Sequence, residues 1–332
     1  MVLTPAMPRS RPAASAARRD GYQLITDRIL AALERGTVPW RRPWRARGHR
    51  NALSAHGYRG INLLLLGLTA FERGYDDPRW LTFRQAAVQG GHVRRGEQGT
   101  PVVFWKWLPP RGAAAVGEAD APADGAGDGD EGTGPGDGRV PFLRVYTLFN
   151  VAQCAGLTLP AAETVAFDPI LRAEAVVAGY RDGPVLVPDA EAAYYVAGRD
   201  AVHVPPRGAF RDAHGYYGTL FHELAHSTGH ERRLARPGLA EAAVFGSASY
   251  SQEELVAEFA AAFLCHEAGI DPARVEQSAA YVASWLHALR NDRRLAVIAA
   301  SQAQRAADWI LGTRPGLPGA DVPAEADAPA SP

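Results

Sequence analysis

Cysteine is almost missing from this chain: Cys154 and Cys265 are the only two, far apart and without metal-type spacing. That excludes a disulfide framework and a cysteine zinc site. Long apolar runs are missing too, so no membrane span is expected, and the first twenty residues lack the apolar core of a secretory signal. A cytoplasmic protein is the expectation that remains. Lysine is scarce, nearly all of the basic residues being arginine, and net charge is only -1. The small net charge hides a division. Residues 1–110 carry 18 Lys and Arg against 7 Asp and Glu, or +11, whereas the remainder carries 17 against 29, or -12. Such asymmetry suggests that the N-terminal part meets a polyanion and the C-terminal part does not.

With 332 residues, 47% of them hydrophobic, the chain can bury cores for two domains of ordinary size. Residues 1–19 read as a disordered basic arm. The spacing of Tyr22, Ile25, Ile29 and Leu33 predicts an amphipathic helix over 20–37, and the apolar run at 61–73 predicts a buried one. Pro78–Gln85 opens a short helix, 90–99 reads as a glycine-bounded basic loop, and 100–108 and 142–149 as strands. Residues 109–139, rich in Gly, Ala, Asp and Pro, cannot bury a core and read as a disordered acidic insertion at the tip of a hairpin formed by those strands. The linker falls near 156–168. A helix at 169–180, short strands at 185–187, 193–196 and 201–204, and helices at 277–291 and 295–311 complete the chain before a tail rich in Pro, Ala and acid. The expectation is an α+β chain with one domain over 20–155, a second over 165–312, and a disordered tail over 313–332.

The stretch that organises the second domain is Tyr216–Gly229, which contains His222-Glu223-Leu224-Ala225-His226. On a helix, residues four apart share a face, so His222 and His226 can aim two imidazoles at one metal ion with Glu223 beside it, as in zinc peptidases. Leu220, Phe221, Leu224 and Ala225 supply an apolar flank, and Gly229 is expected to end the helix. A hydrolytic zinc site needs a third protein ligand and an open position for water. A third His ten residues after the first is excluded, because position 232 is Arg and His230 is out of step.

The best source of that ligand is the acid-bearing run Ser251–Leu264, expected as a second amphipathic helix. It resembles the downstream helix of glutamate-type zincins, in which a ligand Glu is followed four residues later by an acid that supports a ligand His. The resemblance gives Glu254 the ligand role and Glu258 the supporting one; Glu253 points about 100° away around the helix and is the weaker choice. Zinc held by His222, His226 and Glu254 would lower the pKa of its water to about 7, with Glu223 as general base. Tyr250 or His266 would stabilise the oxyanion.

In the first domain, Trp40, Trp44, Tyr58, Trp80, Trp105 and Trp107 are interleaved with Arg41, Arg42, Arg45, Arg59, Arg79 and Lys106, and Arg94 and Arg95 sit in the glycine-bounded loop. Single strands are held by cationic grooves and by aromatic faces on which bases stack. From this set Arg41, Arg42, Trp44, Tyr58, Arg59, Arg79, Arg94, Arg95 and Lys106 are the candidate contacts to single-stranded DNA.

Taken together, Pro39-Trp40-Arg41-Arg42-Pro43-Trp44, Tyr58-Arg59-Gly60-Ile61-Asn62, Pro78–Phe83, Gly90–Gly99 and Val103-Phe104-Trp105 resemble the ArdC-type antirestriction proteins of conjugative plasmids. The resemblance covers roughly residues 20–310 apart from the acidic insertion. It implies an N-terminal single-strand DNA-binding domain followed by a zincin-like metallopeptidase domain, with Zn2+ as cofactor, single-stranded DNA as partner and a protein or peptide as a further substrate. Two departures stand out: Gln98, where the family commonly has Lys, and the acidic insertion itself.

Overall fold

The protein is described by a computed structural model over residues 20–41, 48–108, 140–160, 168–189, 191–237, 239, 248–272 and 279–313. The basic arm, the acidic insertion, residues 161–167 of the expected linker and the tail from 314 lie outside the described residues.

Asp20 accepts a hydrogen bond from Tyr22 N at 3.0 Å and caps helix α1, Gly21–Glu34. A 3-10 turn over Pro39–Arg41 follows, then strand β1, Arg50–Asn51, and helix α2, Gly60–Arg73. Helix α2 is buried on nearly every face, as an all-round apolar helix must be. The short helix expected to open within residues 78–85 does so only at Phe83. Arg79–Leu81 is strand β2, and helix α3, Phe83–Val88, begins only after Thr82. Two causes divide the segment: Trp80 and Leu81 pair with Asn150 and Phe149, and Thr82 and Gln85 form a capping box that fixes the helix start.

Strand β3 is His92–Val93, β4 is Thr100–Leu108 and β5 is Val140–Asn150. β4 and β5 are antiparallel from Thr100↔Leu148 to Leu108↔Val140, so residues 109–139 join two paired strand ends. The sheet order is β1-β2-β5-β4, and β3 pairs separately with β6, Cys154–Ala155. Asn62 covers the free edge of β4: its side chain accepts from Val103 N at 2.8 Å and donates to Val103 O at 2.7 Å.

The second half opens with helix α4, Pro169–Gly179. A three-stranded sheet follows from β7 (Val185–Pro188), β8 (Tyr194–Val196) and β9 (Ala201–Val204), in the order β7-β9-β8. Helix α5, Ala213–Ser227, starts at Asp212, whose carboxylate accepts from Gly215 N at 3.0 Å. Helices α6, Ala248–Ala268, α7, Ala279–Asn291, and α8, Leu295–Leu311, complete the fold.

Helix α6 is not amphipathic as expected but central, with every residue from Glu253 to Cys265 buried. Its Ala, Leu, Val and Phe side chains leave no solvent-facing side, its glutamates being buried too, and its small residues let α5 and α8 approach closely. Helices α1 and α2 pack on α7 and α8. As a result Ile25, Trp40, Leu64, Phe221, Phe259, Trp285 and Ala300 belong to one continuous apolar cluster that joins both halves. A smaller cluster in the first half joins Tyr58, Leu66, Trp80, Val102 and Leu148. Among the described residues no helix is long and apolar enough to cross a membrane.

Candidate metal centre

The helical pentad and the central helix converge on three ligand atoms. His222 Nε2 and His226 Nε2 stand 3.1 Å apart; Glu254 places Oε2 3.5 Å from the first and Oε1 3.5 Å from the second. Among the described residues His222, His226 and Glu254 form the single metal-type cluster. Donors about 2.0–2.1 Å from a tetrahedral ion are separated by roughly 3.3 Å, so this triangle fits a divalent cation. Two imidazole nitrogens and one carboxylate are also the donor set of a catalytic rather than a structural site.

The outer layer is built from buried groups. Glu253, the weaker ligand choice from sequence, takes a different role: it faces His226 Nδ1 at 3.3 Å and receives Arg236 Nε at 2.9 Å and Nη2 at 2.5 Å. Arg236 also donates to Thr228 Oγ1 at 2.6 Å and Ala225 O at 2.9 Å, closing the C-terminus of α5. Gly229 therefore serves differently from the expected helix-ending glycine. Its backbone does not take a positive φ, and a Cβ there would sit 3.1 Å from Arg236 Nη2 and 3.2 Å from His226 O. Glu258 lies 3.6 Å from His222 Nδ1, where it can orient that ring as metal-site carboxylates do. It also accepts from Trp40 Nε1 at 3.0 Å and from Arg41 Nε at 2.9 Å, with Arg41 Nη2 on its other oxygen.

Electrostatics follow from four buried carboxylates, Glu223, Glu253, Glu254 and Glu258, around two histidines. Burial works against a charged His222, but Glu254, Glu258 and Glu223 outweigh it and push its pKa up to about 9. Burial likewise opposes ionisation of Glu254, yet His222, His226 and Tyr250 bring it down to about 2. Glu223 is buried on the same helix. Tyr250 and Tyr281 share a hydrogen bond of 3.0 Å at this site, and burial together with Tyr281 and Glu254 raises the Tyr250 pKa, keeping its hydroxyl a donor. His266 is elsewhere, accepting from Gly48 N at 3.1 Å, and His230 accepts from Arg232 N at 3.2 Å.

Among the described residues, the DNA-contact candidates are divided between buried, ion-paired and exposed positions. Tyr58 is 5% exposed, in the smaller core, so its ring offers no face for a base. Arg41 is committed to Glu258, Arg59 to Asp308, and Arg79 to Asp77 with a further bond to Pro160 O at 2.5 Å. Arg94 is exposed and bonded to Glu97 at 2.8 Å, and Arg95 is exposed beside it. Arg42, Trp44 and the side chain of Lys106 lie outside the described residues. Sequence reasoning passed over Phe83, which is 63% exposed at the start of α3 and contacts Phe149 edge-on at 6.5 Å. The available signal was its place directly after a capping residue, where a helix begins facing solvent. Arg236 and Glu253 gave no comparable signal, since their roles depend on a loop folding back over α5.

Comparison with known proteins gives a family for each half. Residues 19–149 match the N-terminal domain of anti-restriction factor ArdC, and residues 172–302 match a zincin-like metallopeptidase family. Crystal structures of the antirestriction ArdC protein from the R388 plasmid, 38% identical, superpose with TM-scores of 0.66 in the Mn(II)-bound form and 0.67 in the metal-free form. The Mn(II)-bound one covers 89% of this chain and 98% of that protein. This chain belongs to the ArdC antirestriction family. The chain is also similar to the uncharacterized protein y4eC of Sinorhizobium fredii (strain NBRC 101917 / NGR234), 37% identical over 88% of this chain and 91% of that one. A DNA primase TraC of Escherichia coli is 35% identical over 87% of this chain, which spans about a quarter of that longer protein (27%). As an ArdC-type chain it joins an N-terminal segment of that family to a zincin-like segment with a site suited to a divalent metal.

Proposed function

We propose that this ArdC-type protein binds single-stranded DNA through its N-terminal half and hydrolyses peptide bonds at a zinc site in its C-terminal half, in the service of protecting a mobile element's entering DNA. The observation that carries the reading is the donor triangle of His222, His226 and Glu254 with Glu223 buried beside it. The R388 protein has been crystallised with Mn(II); two imidazoles in a set of three donors favour Zn2+ here.

Bound by those three residues, the ion would supply a polarised water and a Lewis acid for a carbonyl. The other tasks belong to the chain. Glu223 takes the proton of the attacking water and delivers it to the leaving amine. Tyr250, whose hydroxyl stays protonated and is hydrogen-bonded with that of Tyr281 at 3.0 Å, is the candidate donor to the developing negative charge. Glu253 and Glu258 hold the two imidazoles in the tautomer that leaves Nε2 for the metal. For DNA, support comes from the N-terminal excess of positive charge, the exposed Arg94 and Arg95, and the exposed ring of Phe83 on α3, which packs against the strand leading into those arginines.

The test is Glu223→Gln in the zinc-loaded full chain, assayed for cleavage of a protein and peptide panel and for protection of DNA from restriction. Loss of at least about a hundredfold in cleavage is expected from removing the base, and no cleavage by the wild type removes the hydrolytic reading. The same variant decides the alternative, a peptidase acting on a regulator or host protein that uses DNA only for localisation. In that case protection disappears together with cleavage.

A further inference from the structure

Trp40 and Arg41 come from the basic, proline-broken stretch that sequence alone assigns to DNA. In the structure they point inward. Trp40 is 1% exposed and packs edge-on against Phe259 of α6 and Trp285 of α7, at centroid distances of 4.8 and 5.2 Å. Its Nε1 donates to Glu258 Oε2 at 3.0 Å. Arg41 grips the same carboxylate with both Nε and Nη2. The far side of that carboxylate lies 3.6 Å from His222 Nδ1. One buried acid thus receives three donors from the N-terminal half and faces a metal-site histidine of the C-terminal half.

We infer that Trp40 and Arg41 are positioning residues of the metal site, acting through Glu258 on the ring of His222, so that the N-terminal half completes the metalloprotein half. A carboxylate that orients a histidine does so only if its own rotamer is fixed. A buried glutamate has several rotamers and a cost for any unpaired charge. The planar fork of Arg41 fixes the carboxylate plane, and the Trp40 N–H fills the remaining direction on Oε2. The inference rests on the reading that His222, His226 and Glu254 bind a divalent ion.

The experiment measures Zn2+ affinity of the full chain by competition with a chromophoric chelator. It compares wild type with Arg41→Met, Arg41→Lys, Trp40→Phe, Glu258→Gln and the Arg41→Met/Glu258→Gln pair, with circular dichroism and thermal midpoints of each metal-free protein recorded alongside. Glu258→Gln is expected to weaken binding by about 10- to 100-fold, the range for altering a direct partner of a metal ligand, and Arg41→Met, one contact further out, by about 10-fold. Arg41→Lys should recover part of the loss, since it restores the charge without the fork. Trp40→Phe keeps the ring packing and removes only the N–H, so it reports even if Arg41→Met fails to fold; a several-fold loss is expected. The double variant should be no weaker than the worse single one. Wild-type affinity in folded Arg41→Met and Trp40→Phe overturns the inference, as do losses that simply add in the double variant. A drop in oligonucleotide affinity with unchanged Zn2+ affinity would return Arg41 to DNA. If the wild type itself binds no stoichiometric ion, the metal reading falls first and this inference with it; binding in the wild type that the variants leave intact removes only the positioning role.

Discussion

At the scale of single residues, His222 has to satisfy two competing partners. In the metal-free protein the surrounding carboxylates raise its pKa to about 9 against the opposing effect of burial, whereas a metal ligand must be the neutral imidazole. Two consequences follow, with opposite signs on pH. Without metal, a raised folded-state value contributes stability that is fully present below the ordinary histidine value of about 6.5 and is lost as pH rises through about 9. With metal, the ion displaces that proton, so its affinity should rise about tenfold per pH unit from pH 7 and level off near the His222 value. Competitive titrations at several pH values check this, as does calorimetry in buffers of different ionisation enthalpy, where about one proton should be released. A flat affinity between pH 7 and 9 would show that His222 is already neutral before metal arrives.

At the scale of elements, β4 is an edge strand, and edges invite unwanted pairing. Here Asn62 on α2 occupies the edge by bonding both the N–H and the C=O of Val103. Asn62→Leu suits the apolar surroundings of α2 but leaves two buried backbone groups unpaired, and a loss of about 2–4 kcal/mol is expected in urea unfolding. An unchanged midpoint would mean that water or a shifted backbone satisfies Val103. Helix α3 and the loop after β3 carry the other prediction. Phe83→Ala should weaken binding to a single-stranded oligonucleotide by about 1–3 kcal/mol while leaving its salt dependence almost intact. Arg95→Ala should lower the log-log salt slope by about 0.7. If Phe83→Ala binds as the wild type does, the exposed ring has no part in stacking.

At the scale of the whole molecule, the two halves are fastened together rather than strung on a linker. The continuous cluster crosses between them, and ion pairs join Arg41 to Glu258, Arg59 to Asp308, Arg293 to Asp20 and Arg290 to Glu34. Two of these pairs neutralise N-terminal arginines and two neutralise N-terminal acids, so Arg41 and Arg59 are withdrawn from DNA while the N-terminal positive excess itself is unchanged. The sequence suggests that the chain divides near residue 160 into independently working pieces, but cutting there would expose the apolar faces of α1 and α2 and of α7 and α8 to water. The full chain should unfold in one calorimetric transition, and residues 165–312 alone should lack a cooperative one. Two well-separated transitions in the intact protein would restore the divisible picture.

Much of this was legible before the structure. The four-residue spacing of His222 and His226 sets both on one face of a helix whatever that helix packs against, and the β-branched and aromatic residues of 100–108 and 142–149 mark two strands that pair with the insertion between them. Local spacing and composition govern such features, because each depends on side chains only a few positions apart. The tertiary structure alone decided the partners. Periodicity can say that Glu253, Glu254 and Glu258 lie on one helix, but not that the first takes Arg236, the second the two histidines and the third Arg41. A buried carboxylate is held by whichever donors the packed chain delivers to it, and those that reach Glu258 come from 217 and 218 residues away. For the same reason Tyr58, Arg59 and Arg79 read as a nucleic-acid surface in the sequence and became core and intramolecular pairs once folded: charge and aromaticity are local properties, while exposure belongs to the whole.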